Sequence, residues 1–264
     1  MKIYDCFTYF NEDLILDLRF NILYDHVDYF VIIEGNKTHS GQIKKKNFDI
    51  KKFTKFKKKI KYFFIEMPNN MSSWQLENFQ RNEIIRGLKY AKGEDVILIS
   101  DCDEIPDIQH SIENIKNNKI FAFEQKCFYF KLNLINPTSN PWYGTKLVKY
   151  NYLQKTTPQK IRSYKVKQYP FWRLDKPKNV EIIKNGGWHF SFLNTISKIQ
   201  LKLRSYAHTE YNKNKFLNKK YLENKVKNYK DIFNKKVSLK KVLIDNTYPF
   251  YIIKNKKKFK KWIV

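Results

Sequence analysis

The sequence predicts an α/β fold: a mostly parallel, doubly wound sheet with helices on both faces. Three observations predict it. Apolar runs of strand length alternate with helix-period segments through the first hundred residues. Residues 28–34 and 95–100 are nearly continuous apolar runs, as expected of strands covered on both sides. The ends of the runs collect polar groups, above all Ser100-Asp101-Cys102-Asp103-Glu104, where ligands bind in such sheets.

Residues 2–7, KIYDCF, read as the first strand. Asn11, Glu12 and Asp13 supply an N-cap and first-turn acids, and Leu14, Leu18 and Ile22 then recur at helical spacing to Tyr24. Residues 28–34 form the second strand and, after a basic stretch, IKYFFIE at 60–66 the third. Ser72 and Ser73 cap a helix over 74–90 that Gly93 closes, and residues 95–100 are the fourth strand. Helical crossovers between these strands imply parallel pairing. That pairing gathers Thr8, Asn11, Glu34, Asp101 and Asp103 at one sheet edge.

Further along, the aromatic run KIFAFEQKCFYFKL at 119–132 predicts one more strand, and NPTSNPWYGT at 136–145 a loop. An unpatterned basic segment reaches Lys184. The turn Asn185-Gly186-Gly187 then precedes Trp188-His189-Phe190-Ser191. A helix with Ile196, Ile199, Leu203 and Tyr206 on one face ends near 207–210, and the tail from Lys213 reads as helical and basic. Neither an internal repeat nor a clean linker divides the chain. The expected organisation is a main body over 1–212 with a basic helical C-terminal extension, 213–264, packed on it.

Composition narrows the class. A chain of 264 residues with 42% hydrophobic and 17% aromatic residues buries a sizeable core and is not disordered. No apolar run is long enough to span a bilayer, and MKIYDCFTYF lacks the features of a signal peptide. Cys6, Cys102 and Cys127 form no CxxC pair, which suits reduced thiols and a cytoplasmic setting. The net charge of +27 gathers in lysines at 44–61 and 254–261, with a looser group at 213–241. Lysine and asparagine both have A-rich codons, so compositional drift accounts for much of it. What remains could serve a peripheral anionic membrane contact, for which the lysines beside Phe259 and Trp262 are the expected site. No nucleic-acid motif accompanies the charge, so nucleic acid is not the expected partner.

The carboxylates after the fourth strand carry the chemistry. An Asp-x-Asp on a tight loop offers hard oxygen ligands on one side, which suits Mg²⁺ or Mn²⁺ and the phosphate oxygens of a nucleotide. The bland alternative is a solvated acidic loop. The apolar strand, the Pro106 stop and the topology favour the metal, with Asp101 and Asp103 as ligands.

The helix bearing Arg81-Asn82 ahead of this acidic strand resembles nucleotide-sugar glycosyltransferases of the A-type (GT-A), Rossmann-like fold. The likeness narrows with YDCFTYFNEDLILDLRFNILYDHVDYFVIIEGNKTHSG, WQLENFQRNEIIRGL, LISDCDEIP, PWYGTK and GGWHFSFLNTISKIQLKLRSYAHTEYN. In this order, from residue 3 to about 212, they resemble glycosyltransferase family 17, the group of the β-1,4-mannosyl-glycoprotein β-1,4-N-acetylglucosaminyltransferases. The resemblance implies a GT-A-like catalytic domain over 1–212 and inverting transfer of a sugar, N-acetylglucosamine, from a UDP-sugar. It implies Mn²⁺ or Mg²⁺ as cofactor and a glycan, lipid-linked glycan or glycoprotein as acceptor. It also implies donor-binding roles for Thr8, Asn11, Glu34, Arg81 and Asn82, and metal-binding roles for His189 or His208 beside Asp101 and Asp103.

An inverting reaction needs a base to deprotonate the acceptor hydroxyl. Glu210 is the expected base because it lies in a family-like segment; Glu181, Asp175 and Glu124 are the other carboxylates, and His189 serves if His208 takes the metal. Of the two metal candidates Asp103 is the surer, by analogy with the last acid of the family's motif, and it counts with Glu210 as a catalytic carboxylate. Trp142, Tyr143 and Trp188, beside Gly or Pro in loop-like stretches, are the expected acceptor platform. The competing reading is a basic protein that binds nucleic acid or an anionic membrane without transferase activity.

Overall fold

The computed structural model describes all residues except 110–114, 116–117, 167–179 and 235. Strand β1 (Ile3–Thr8) leads through helix α1 (Asp13–Leu23) to β2 (Tyr29–Gly35). A 3-10 segment, Ile50–Lys59, leads to β3 (Ile60–Ile65). Helix α2 (Ser73–Asn82), continued by a 3-10 turn at Glu83–Leu88, leads to β4 (Val96–Asp101). Then come β5 (Glu104–Pro106), β6 (Ile120–Phe123), β7 (Lys126–Tyr129), β8 (Leu134–Ile135) and β9 (Lys146–Lys149). Helices α3 (Tyr150–Leu153) and α4 (Pro158–Ser163) precede β10 (Val180–Ile183), β11 (Gly187–Ser191) and α5 (Ile196–Ser205). The chain closes with α6 (Asn214–Leu217), α7 (Lys219–Lys227), β12 (Lys240–Lys241) and α8 (Phe250–Lys254).

Among the described residues the main sheet has the order β10-β6-β9-β4-β1-β2-β3. Strands β3, β2, β1 and β4 are mutually parallel, and β9 runs antiparallel between β4 and β6. The strand order turns back between β1 and β4, and at such a reversal a crevice opens beyond the carboxyl ends. A second sheet, β12-β8-β7-β11-β5, stands beside that crevice.

Burial follows strand alternation. Tyr4 and Cys6 of β1 face the core under α2, whereas Phe7 faces the core under α1, the Ile50–Lys59 segment and α8. In that segment Phe53 and Phe56 turn inward while most of its lysines stay exposed. All three cysteines are buried and free. Among the described residues no helix is long and apolar enough to cross a membrane.

Three expectations change. The strand expected over 119–132 is two strands in different sheets. The chain leaves the first sheet at Glu124, and Gln125 bridges Trp142 in the facing loop. The helix expected over 74–90 turns 3-10 at Glu83. Ile84 and Leu88 stay buried there, so the apolar spacing concealed the change. The tail is only partly helical: β12 pairs with β8, and Asn133 bonds the backbone of both Val242 and Val264. Residues 213–264 are thus woven into the second sheet as well as packed on the body.

Candidate active site

The acidic loop is shaped from below by a buried arginine. Asp5 lies in the middle of β1 and pairs with Arg19 of α1 at 2.5 Å, both fully buried. The same guanidinium donates to the backbone oxygens of Asp101 (3.0 Å), Cys102 (3.1 Å) and Glu104 (2.9 Å) and to Ser100 Oγ (2.6 Å). Arg19 therefore fixes the path of the chain as it leaves β4. Thr8 stands opposite Asp101 in register, so the first and fourth strands end side by side.

Four cations meet the acids from above. Asp101 Oδ1 accepts from Arg81 Nη2 (2.8 Å) and Oδ2 from Arg162 Nη2 (3.0 Å). Asp103 Oδ2 accepts from Lys202 Nζ (2.8 Å), and its Oδ1 lies 3.6 Å from His189 Nε2. Burial alone would raise the pKa of Asp101, but Arg162 and Arg81 outweigh it and hold it well below the usual carboxylate range. For Asp103 burial is likewise outweighed, by Lys202 and His189. Burial opposes charge on His189, yet Cys127, whose Sγ is 3.5 Å from Nδ1, and Asp103 raise it well above the ordinary imidazole value.

Glu104 is the hub behind these groups. Its Oε2 accepts from the Asp101 amide (3.0 Å), and its Oε1 from Arg162 (2.6 Å) and the Trp142 indole (2.7 Å). A Cβ on Gly144 would overlap both the Glu104 carboxylate and Trp142, so the Pro-Trp-Tyr-Gly loop needs glycine there. Strand β11 pairs with β5 and β7, setting His189 opposite Glu104 and Cys127, while Phe190 N bonds Asp103 O at 2.9 Å. Gly187 opens that strand at φ +126, pressed against the Ile105 carbonyl, where no other residue fits.

Above this floor lies a cavity of about 570 Å³, walled by Thr8, His39, Trp74, Trp142, Tyr206 and His208 as well as the charged groups. The Tyr206 and Ser205 hydroxyls that line it are buried without a hydrogen-bond partner, as are Arg81 Nε and Arg162 Nε. A buried polar group without a partner is costly, so these atoms mark a wall fitted to a polar ligand.

Asp103 Oδ1 and His189 Nε2 suit a Mn²⁺ or Mg²⁺ ion by donor type. Among the described residues no group of three or more His, Cys, Asp or Glu side chains is placed to hold a metal ion. The pair therefore fits a cation completed by phosphate oxygens and water, as Mg²⁺-type ions accept. Binding it requires the His189 proton to leave.

Of the residues expected from the sequence, Thr8, Arg81, Asp101, Asp103, Trp142, His189 and His208 line the cavity. His208 is turned to Glu210, its Nδ1 2.7 Å from Oε1, and lies edge-on to Trp74. Glu210 itself is exposed and is not among the lining residues. Asn11 faces a small side hollow and takes Lys198 Nζ on its Oδ1 at 3.2 Å. Asn82 Oδ1 accepts from the Gln159 amide (2.9 Å) and so ties α2 to α4. Glu34 is buried away from the cavity, its oxygens taken by Lys44, the amides of Asn47 and Phe48, and the Tyr62 hydroxyl. Tyr143 bonds Glu124 (3.1 Å). Trp188 faces the other way from His189, bonding Thr247 O (3.1 Å) beside a rear hollow between α1 and α8. Asp175 lies outside the described residues.

Sequence reasoning missed Arg162, Lys202 and Arg19. Arg162 sits on α4, whose start was signalled by Thr157-Pro158, a cap followed by proline at the first helical position. Lys198 and Lys202 are spaced four apart on α5, so both reach the start of α1. Asp5 and Arg19, charges inside an apolar strand and an apolar helix, were legible as a buried pair.

The sequence model of glycosyltransferase family 17 matches residues 1–261, nearly the whole chain. The chain belongs to glycosyltransferase family 17. No curated protein matches it significantly. As a family 17 glycosyltransferase it takes a sugar donor and a glycan acceptor, and the cavity where β1 and β4 end is the candidate place for them to meet.

Proposed function

We propose that this family 17 enzyme is an inverting, metal-dependent transferase of GT-A type. It moves N-acetylglucosamine from UDP-N-acetylglucosamine to a glycan carried free, on lipid or on protein. The observation that carries this reading is the Asp101/Asp103 floor at the strand-order reversal, under a cavity large enough for a nucleotide sugar. Thr8 and Arg81 are the donor-binding groups, with Arg162 and Lys202 beside the diphosphate as it leaves. A Mn²⁺ or Mg²⁺ ion held by Asp103 and His189 would neutralise charge on that leaving group. Trp142, tilted against His189 with ring centroids 4.7 Å apart, offers its face to the acceptor sugar.

The acceptor hydroxyl must lose its proton as it attacks opposite the leaving group. We assign this to His208, which lines the cavity. Its Nδ1–H, donated to Glu210, leaves Nε2 as the proton acceptor. Glu210 then positions the base instead of acting as one.

Calorimetric titration of UDP-N-acetylglucosamine with Mn²⁺, with EDTA, and into Asp103→Ala tests the donor and the metal together. Binding confined to the first condition supports the reading, and binding indifferent to all three refutes it. His208→Ala should then lower kcat by a hundredfold or more while donor affinity holds; an unchanged kcat would remove the assigned base.

A further inference from the structure

The two lysine clusters, some two hundred residues apart in sequence, come together in space. Lys52 Nζ bonds Asp13 Oδ2 at 2.7 Å, and Lys258 Nζ bonds Asp17 Oδ2 at 2.9 Å. Asp13 and Asp17 lie four residues apart on α1 and so on one helix face. The Ile50–Lys59 segment and the C-terminal segment thus flank α1 on one side of the molecule. Lys59 closes the far end, donating to the Tyr24 and Val27 carbonyls at 2.6 and 2.8 Å.

Most lysines of these segments remain exposed, including Lys51, Lys55 and Lys57 on one flank and Lys256, Lys257 and Lys260 on the other. The aromatic pair expected to dip into a membrane does not serve. Phe259 is buried in the core and Trp262 packs against it. Two other apolar side chains stand out instead: Leu243 is 83% exposed and Phe250 73%. Phe250 lies under Lys254 Nζ, 5.9 Å from its ring, and the loop of Leu243 is joined to Lys256 through the Ile244 carbonyl at 3.0 Å.

We propose that this face, formed by residues 50–59, α1 and 240–261, docks on an anionic lipid bilayer. Compositional drift would add lysines without pairing them with projecting apolar side chains. Exposed lysines around an exposed leucine and phenylalanine match the two attractions of a lipid surface, headgroup charge and shallow apolar insertion. Nucleic acid would draw on the lysines and leave Leu243 without a use. The face also reaches the active-site mouth, because Phe10 and Glu12, just before α1, line the cavity. Docking would hold that mouth near the headgroups.

Sedimentation with vesicles of phosphatidylcholine, with and without 30% phosphatidylserine (a level of about one lipid in three), tests the proposal. Binding is expected only to the anionic vesicles and to fall steeply with salt. Lys55→Gln/Lys57→Gln and Lys257→Gln/Lys260→Gln should each weaken it more than tenfold, at about fivefold per lysine. Leu243→Ser/Phe250→Ser should weaken it severalfold, and Lys89→Gln/Lys155→Gln, on the opposite side of the sheet, should leave it unchanged. Unchanged donor affinity in every variant confirms intact folding, since none of these residues touches the cavity. Equal partitioning to neutral vesicles, loss in only one lysine flank, or tighter binding to single-stranded RNA than to anionic vesicles would overturn it.

Discussion

Replacing Arg19 with methionine should damage the acidic loop and the fold together, because one guanidinium serves both. The change leaves Asp5 as an unpaired buried carboxylate and removes donors from three backbone oxygens and Ser100 Oγ. Breaking a buried pair from one side costs about 3–5 kcal/mol. Orphaned acceptors add about 1–3 kcal/mol each, though relaxation makes them less than additive. A loss of roughly 4–6 kcal/mol is a large part of the 5–15 kcal/mol that holds a typical domain together. Adding Asp5→Asn should recover roughly 1–3 kcal/mol by removing the stranded charge. Arg19→Lys keeps a charge for Asp5, but a single ammonium cannot serve Asp5 and the loop carbonyls at once. It should lose roughly 2–3 kcal/mol and a larger share of donor binding. Urea unfolding of the four proteins, with donor titration of Arg19→Lys, measures this. An Arg19→Met protein within about 1 kcal/mol of wild type, or an additive double mutant, would refute the reasoning.

Glu34→Gln should cost roughly 2–3 kcal/mol in urea unfolding, since the buried carboxylate binds four donors, while donor affinity of the folded protein stays within twofold. A selective loss of donor binding would give Glu34 a part in holding the donor after all. Gly144→Ala should destabilise by roughly 1–3 kcal/mol and lower transferase activity, because the new methyl displaces Glu104 or Trp142. Lys146, buried in β9 with its ammonium on the Tyr143 and Gly144 carbonyls, has its pKa lowered to about 7 by burial and by Arg162. An unfolded lysine titrates near 10.4, so between about pH 7 and 10.4 the unfolded chain binds more protons and stability rises with pH. Wild type should gain roughly 2–3 kcal/mol on Lys146→Met between pH 7 and 9, and parallel unfolding profiles would contradict this.

The parallel strands and the acids at the end of β4 were legible because they leave period and position in the sequence. Val96 to Ile99 had to be apolar on both faces, and Asp101 and Asp103 then fall where a parallel sheet exposes its polar ends. The partners of those acids were not legible, because they arrive from α4 and α5, and only the tertiary fold aligns Arg162 and Lys202 with them. Strand alternation decided Trp188 and His189, neighbours that the sequence placed together and the sheet sends to opposite sides. Glu34 was misjudged because a strand-end acid has two places to go. The loop carrying Asn47 and Phe48 folds over it and claims its oxygens.

Strand β11 is a party wall, with the candidate active-site cavity on one side and the rear hollow on the other. A single inserted or deleted residue between Gly187 and Phe190 would exchange the tenants, sending indole to Asp103 and imidazole to Thr247. A point change at Trp188 alters one side of the wall only, but a change of length alters both. Related chains should therefore vary freely in the loops before and after GGWHFS while keeping its residue count, and libraries that vary this segment should keep both Gly187 and its length.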